Sequence, residues 1–421
     1  MLLAFRVANY RSIRDEQELS FVATGFNERT AVEVPIEPKG TIKVLPVEGI
    51  YGKNASGKSN VLRALQSMFR LVRSADVHRD RARYVDFQQT PFLLEAGPRG
   101  RPTRFEVELL LRGVRYVYGF EFGEDMVRSE WLHAYPNGRR QVWFDRAGPV
   151  ADDFRFPGDH LKGPKATLVE LVRPEALLLG LVSRVVIHPQ LEPIADWFRW
   201  GMSSRIGRDV GLARYRRELD LARFLSGRYG DRARELIGHA DLGLRDAVVI
   251  ERSVGDKTEA RVQLHHACAS GEIALPLQEE SEGTVSWLLA LQLILPALDK
   301  GRILLFDELT ANLHPQLAAE VIRMFQDPRV NDRTAQLVFT SHDVSMLGTQ
   351  FGAPLLDRDQ IWFTEKGDDG ATELYPVTDL KPRKGENIEH GYLSGRYGAA
   401  PDLSPGEIGR ALRRVRERES A

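Results

Sequence analysis

Apolar and polar side chains alternate from Leu2 to Tyr10 and again from Glu18 to Ala23, the period of strands with one buried face. A polar stretch rich in turn residues, Asn27 to Gly40, separates them from Val44 to Ile50, whose apolar run predicts a buried strand. From Val61 to Val72 the apolar residues recur at helical spacing (Val61, Leu62, Leu65, Met68, Phe69, Val72). Between Tyr84 and Phe144 the period returns to two. Phe105–Leu109 and Tyr116–Phe122 flank the turn pair Arg112-Gly113, and Trp131–Tyr135 adds a further strand, so this part reads as an antiparallel β segment. Residues 150–240 carry helical patterns broken by Gly and Pro, and Val248–Leu277 is strand-like again. Thr284–Leu298 predicts a buried helix, Ile303–Phe306 a central strand, Gln316–Phe325 a helix and Leu337–Thr340 another buried strand. Gln360–Thr364 with Thr372–Pro376 predicts a closing hairpin. No internal repeat and no sustained heptad is present.

One junction between a predicted strand and a predicted helix carries chemistry. Gly52 to Ser59 fits G-x-x-x-x-G-K-[ST], with the apolar strand before it and the helix after it that the motif requires. Glycines let the backbone wrap closely, so that successive N–H groups point at phosphates and the helix N-terminus adds its dipole. Gly52, Asn54, Ser56, Gly57 and Asn60 line this loop, Lys58 is placed to bridge the β- and γ-phosphates of a nucleoside triphosphate, ATP or GTP, and Ser59 to bind Mg²⁺. Far downstream, the apolar strand Ile303–Phe306 ends in Asp307-Glu308. Asp307 is expected to hold Mg²⁺ and Glu308 to orient and polarise the attacking water.

Composition narrows the setting. With 58 Lys plus Arg against 59 Asp plus Glu, the net charge of −1 supplies no whole-molecule field for nucleic acid or an anionic membrane. Basic surface must therefore be local: Arg199–Glu235 holds ten Arg and five acids, Arg70–Arg83 five Arg and two Asp, and Arg410, Arg413, Arg414, Arg416 and Arg418 decorate a C-terminal helix. These stretches read either as nucleic-acid or acidic-partner contacts or as solvated helix faces. The single cysteine, Cys268, excludes an intramolecular disulfide framework and a Cys-rich zinc site. Its neighbours His265 and His266 point to opposite faces of a strand and cannot chelate one ion together. Arg6, Arg11 and Arg14 interrupt any signal-peptide form, and Val285–Leu298 is too short for a membrane span, so a cytoplasmic protein without membrane contact is expected.

Lys58 and Asp307 are 249 residues apart, a separation too large for a compact nucleotide kinase or small GTPase. It resembles that of ABC-type ATPase heads, where an antiparallel β lobe and a helical lobe are inserted between the two motifs. The opening Leu2–Ile13 stretch, Tyr51–Asn60, Glu280–Thr284, Asp307–Pro315, Arg358–Lys366 and Tyr392–Pro401 together are similar to SMC- and OLD-like ABC ATPases. More specifically, they resemble the stand-alone ATPases of abortive-infection and restriction-linked defence operons, of the RloA and AbiL type. The resemblance implies an α/β fold: an ABC-type P-loop ATPase head with an antiparallel β lobe and an inserted mostly helical subdomain. By position it implies that His342 is a switch histidine, that Ser281, Gly283 and Thr284 belong to a signature loop, and that Asn312 and His314 lie in a D-loop. It also implies a metal-linked Q-loop glutamine, for which Gln88, Gln89 and Gln141 all end or flank β segments, with Gln88 or Gln89 favoured. Glu282 stands where a second glycine is common in the signature loop.

In ABC heads the signature loop closes over the nucleotide of a second head, so a complete site requires a homodimer or a higher homo-oligomer built of head dimers. The division expected is 1–149 for an N-terminal ATPase lobe, 150–245 for the helical insertion, 246–380 for a C-terminal ATPase lobe and 381–421 for the closing motif and basic tail. Only 79 residues follow His342, and the one D-x-D match among them, Asp357-Arg-Asp359, sits against a strand predicted to complete the ATPase sheet, so a nuclease in this chain is not expected. The resemblance implies an ATPase that senses invasion and regulates a separately encoded toxin or nuclease effector in antiphage defence. The alternatives are an SMC-like DNA-binding or repair machine, which the absent coiled coil disfavours, and a nucleotide-stabilised scaffold with little hydrolysis.

Overall fold

The structure is a computed structural model. It describes the chain except residues 26–28, 75–89, 95–99, 124–125, 183–185, 207–212, 241–242, 255–256, 270, 312, 384, 401–405 and 420–421. The fold is α/β, organised by two large sheets and a smaller one.

The strands predicted as buried on both faces meet in one six-stranded sheet. Its order is Met202–Arg205, Ile303–Phe306, Gln336–Ser341, Val47–Tyr51, Ile361–Lys366, Thr372–Pro376. The first five run parallel, and the last closes an antiparallel hairpin. Alternate residues face two different cores: Ile50, Leu305 and Val338 pack on one side, Val47, Leu304, Phe306, Leu337 and Phe339 on the other. Covering both faces requires the near-continuous apolar runs seen in the sequence.

The first core is shared with a seven-stranded antiparallel sheet formed by Leu2–Ala8, Gln17–Ser20 and the strands between Thr103 and Arg155. The helix Lys58–Arg73 packs into the same core through Val61, Leu62, Leu65, Met68, Phe69 and Val72. A single side chain staples the two sheets: Gln336 donates to Leu2 O (2.9 Å) and accepts from Leu2 N (2.8 Å), imitating one more strand pair. The second core holds the helices Glu282–Lys300 and Pro315–Gln326. A three-stranded antiparallel sheet, Leu244–Val254, Lys257–Cys268 and Gly271–Pro276, leads into the first of these helices.

Between 150 and 245 the described residues form several short helices, the edge strand Phe154–Arg155 of the seven-stranded sheet, and one strand that the periodicity does not predict. Met202–Arg205 is a strand, and it joins the central sheet beside Ile303–Phe306. The expected apolar run from Val44 also divides, into Thr41–Val44 and Val47–Tyr51 around Leu45-Pro46, since Pro cannot donate to a ladder. A buried ion pair attaches the helical part to the antiparallel sheet. Glu130 and Arg146, both with fully buried side chains, approach to 3.7 Å. Glu130 also accepts from Tyr118 Oη (2.9 Å) and from the backbone N–H of Leu178 (2.9 Å), while Arg146 donates to Ala176 O (2.7 Å). Among the described residues, no helix is long and apolar enough to cross a membrane.

Candidate active site

The strand Val47–Tyr51 is buried throughout and delivers Gly52–Ser59 to the C-terminal edge of the parallel sheet. Two glycines shape the loop. Gly52 has φ +152°, and a Cβ there would lie 2.5 Å from Thr364 O; Gly57 has φ +112°, and its Cβ would collide with the Thr372 hydroxyl. No other residue type fits at either position. The loop is braced by distant segments: Ser56 Oγ meets Thr364 Oγ1 at 2.6 Å, Thr372 Oγ1 donates to Ser56 O (2.8 Å), and Asn60 Nδ2 donates to Ser12 Oγ (2.8 Å). The Lys53 N–H donates to Ala399 O (2.9 Å), so the closing C-terminal motif reaches the loop as well. Asn54 is exposed at the loop tip.

Lys58 is buried and donates to Gly52 O (2.7 Å) and Lys53 O (3.1 Å). Burial lowers its pKa, and the nearby carboxylates of Glu308 and Asp307 oppose that shift. Directly after it, Ser59 Oγ donates to Asp307 Oδ1 at 2.8 Å, from 248 positions away in the sequence.

Asp307 and Glu308 follow the fully buried strand Ile303–Phe306. Thr340, buried in the neighbouring strand, arranges both. Its hydroxyl donates to Asp307 Oδ1 (2.8 Å) and accepts the backbone N–H of Glu308 (2.8 Å). Glu308 has φ +57°, a left-handed conformation uncommon for a residue with a Cβ. The turn it makes directs its carboxylate to His342 Nδ1, with which it is hydrogen-bonded. Both side chains stay partly open to solvent, 34% for Glu308 and 54% for His342.

Thr340 escaped the sequence reading, which took Leu337–Thr340 as a plain buried strand. Its only sequence signal is a hydroxyl in an otherwise apolar run, which needs a partner once buried. Ser281 and Gly283 are exposed and Thr284 is buried at the start of a different helix. Ser281 is the N-cap of the helix Glu282–Lys300, accepting from Thr284 N at 3.1 Å, and its hydroxyl meets Thr284 Oγ1 at 2.9 Å. His314 caps the helix Pro315–Gln326 by accepting from Gln316 N. Gln88, Gln89 and Asn312 lie outside the described residues. The acids of Asp357-Arg-Asp359 are engaged in the fold: Asp357 binds Arg29 and Thr30, and Asp359 binds Thr24.

The donor set fits a divalent magnesium ion. A hydroxyl and a carboxylate oxygen converge within hydrogen-bond distance beside a phosphate-type loop, the hard-oxygen chemistry that such an ion takes. Ser59 and Asp307 are the residues that would hold it, and bound there it would polarise a phosphoryl oxygen as a Lewis acid.

Solved structures similar to the chain include three SMC heads. One is described as "Crystal structure of the Smc head domain with a coiled coil and joint derived from Pyrococcus yayanosii" (TM-score 0.45, 11% identity, 89% of this chain and 97% of that one). A second is the "SMC head domain from Thermotoga maritima" (TM-score 0.38, 12% identity, 89% and 98%). A third is described as "Crystal structure of the SmcHead bound to the C-winged helix domain of ScpA" (TM-score 0.42, 13% identity, 89% and 96%). No curated protein matches the sequence. Residues 49–347, which span the phosphate loop, the acid pair and the histidine strand, match one family over well over half of the chain, and the protein belongs to it: the family described as "AAA domain, putative AbiEii toxin, Type IV TA system".

Proposed function

We propose that this protein hydrolyses ATP as an ABC-type regulatory ATPase. In this reading ATP pairs two heads, and the paired state senses invasion and governs a separately encoded toxin or nuclease effector in antiphage defence, as in the RloA and AbiL type. The observation that carries the hydrolytic reading is the connected set Ser59–Asp307–Thr340–Glu308–His342 beside the glycine-shaped loop.

Each residue then has a task. The Gly52–Ser59 backbone and Lys58 bind the phosphates, with Lys58 exchanging its loop carbonyls for phosphate oxygens. Glu308 takes the proton of the attacking water, and the bond from His342 holds its carboxylate in one direction. Thr340 fixes the backbone turn from which Glu308 projects.

Gly283 supports the pairing of heads. It lies in the first turn of the helix Glu282–Lys300, where a Cβ would meet only Ser281 Oγ, at 3.7 Å. Among the described residues nothing requires glycine there, although glycine costs up to about 1 kcal/mol in a helix relative to alanine. A close approach from outside the chain would account for it. The toxin–antitoxin wording of the family supports the defence setting.

Mass photometry with and without ATP·Mg²⁺, on wild type and on Glu308→Gln, tests the pairing. A dimer or dimer-based oligomer strengthened by ATP is expected, and it should persist longest in Glu308→Gln. A strict monomer under every condition would overturn it.

A further inference from the structure

We infer that His266 is a positioning residue for the loop Ser281–Thr284, and that its contact with Glu280 sets how that loop meets nucleotide held by a second head. The inference rests on the paired-head reading above.

Within its own head, the side-chain hydrogen bonds of Ser281 and Thr284 are made to each other and to the helix N-terminus they cap. The loop is instead held from the residues just before it. Glu280 is nearly buried, with 5% of its side chain exposed, and its Oε1 lies 2.5 Å from His266 Nε2. Two residues earlier, Gln278 Nε2 donates to Glu218 Oε2 at 2.7 Å. Glu218, 4% exposed, also accepts from Arg261 (2.9 Å) and from the backbone N–H of Val262 (3.1 Å). Both tethers therefore end on the strand Lys257–Cys268 or on the helix that packs against it. They differ in kind: the Glu218 tether is built into the sheet, whereas His266–Glu280 adjoins Ser281 directly.

The second tether belongs neither to the helix cap nor to the strand ladder: Ser281 caps the helix by accepting from Thr284 N, and ten residue pairs join the first two strands of the sheet. It gives the nearly buried Glu280 carboxylate its partner. The neighbouring His265 shows what an ordinary surface pair looks like here: it faces the other side of the strand and meets Glu272, whose side chain is 49% exposed. A charge-assisted bond to a nearly buried carboxylate is stronger and more directional than that one. It fixes Glu280, and through one peptide unit it fixes Ser281.

Trans-complementation in full-length protein separates a positioning role from damage to the fold. In a paired head, each site takes its phosphate loop from one chain and Ser281–Thr284 from the other. His266→Leu alone is expected to lower turnover at least tenfold, as is Lys58→Ala alone. Mixed one to one, the two inactive chains should recover about a quarter of wild-type activity, since half of randomly formed dimers contain one intact site out of two. A chain carrying both Lys58→Ala and His266→Leu, mixed with wild type, should fall below the mixture of Lys58→Ala with wild type. Glu280→Ala, which removes the acceptor, should complement Lys58→Ala as His266→Leu does, and His266→Gln, which keeps a side-chain donor, should stay within about threefold of wild type.

Ser281→Arg mixed with Lys58→Ala serves as the reference. If that pair recovers activity and His266→Leu with Lys58→Ala does not, the role given to His266 is wrong while the paired-head reading stands. If neither pair recovers activity, the paired-head reading fails and takes this inference with it. Wild-type turnover by His266→Leu alone would also overturn it.

Discussion

Thr340 donates its hydroxyl hydrogen to Asp307 across 2.8 Å, from a fully buried position on the strand next to the one that Asp307 ends. The same oxygen receives the backbone N–H of Glu308. One side chain thus fixes the direction of the carboxylate that meets Ser59 and the backbone turn that presents the carboxylate beside His342. A threonine in a strand has few χ1 options, so it holds this double contact at little entropic cost.

Thr340→Val keeps the shape and removes both bonds. The Glu308 N–H is then left without its partner, for which roughly 1–3 kcal/mol of stability should be lost. Turnover should fall by about tenfold or more while ATP affinity changes little. Steady-state hydrolysis, nucleotide titration and urea unfolding together check this.

Glu308→Gln keeps the size of the side chain and removes the proton acceptor. Hydrolysis should drop by about 10²–10⁴-fold, the usual contribution of a positioned general base. Bound ATP, measured by rapid filtration, should persist for many wild-type turnover times.

Lys58→Ala should weaken ATP binding by at least about tenfold, because a buried ammonium aimed at phosphates is lost. Isothermal titration reads this directly. The fold should survive, since among the described residues the Lys58 ammonium bonds to carbonyls of its own loop.

Arg146→Leu should cost roughly 3–5 kcal/mol, the effect of leaving one member of a buried ion pair alone. Glu130→Gln in the same chain should recover part of the loss by removing the stranded charge. Urea midpoints of the single and double variants check the pair as a cycle.

Glu48 gives a pH prediction. Its carboxyl is fully buried on the strand leading into the phosphate loop, accepts from Trp362 Nε1 at 2.9 Å, and among the described residues has no hydrogen-bond partner for Oε1. Burial pushes its pKa well above the ordinary carboxylate value, only partly opposed by the Trp362 bond. The native state therefore keeps a proton that the unfolded chain releases near the ordinary value. Its contribution is complete below that value and is lost as pH rises through the raised pKa. Glu48→Gln should flatten this decline, so its melting temperature should gain on wild type steadily from pH 5 upward.

How much of this was legible in the sequence depended on how local the chemistry is. Gly52–Ser59 could be read because its glycines are forced by backbone conformation, as Gly52 and Gly57 show. Asp307-Glu308 could be read only beside the phosphate loop, since two acids at the end of a buried strand are a weak signal alone. Met202–Arg205 was missed as a strand because four residues, two of them serines, give no period-two signal; its place in the sheet follows from register with Ile303–Phe306. The sequence order of His265 and His266 indicated opposite faces, but not that one of them meets Glu280. The Gln336–Leu2 staple joins residues 334 positions apart, and no pattern along the chain encodes it.

The bracing of the phosphate loop bears on how this protein can be divided. Ser12 lies near one end of the chain, Thr364, Thr372 and Ala399 near the other, and all four touch residues of Lys53–Asn60. A fragment cut to run from the loop's own strand to the histidine strand would keep every residue with a chemical task and lose every one of these supports. Split-protein reporters and domain transplants built on such a fragment should therefore fail. Halves that each carry one terminus have to be reunited before either contains a usable site.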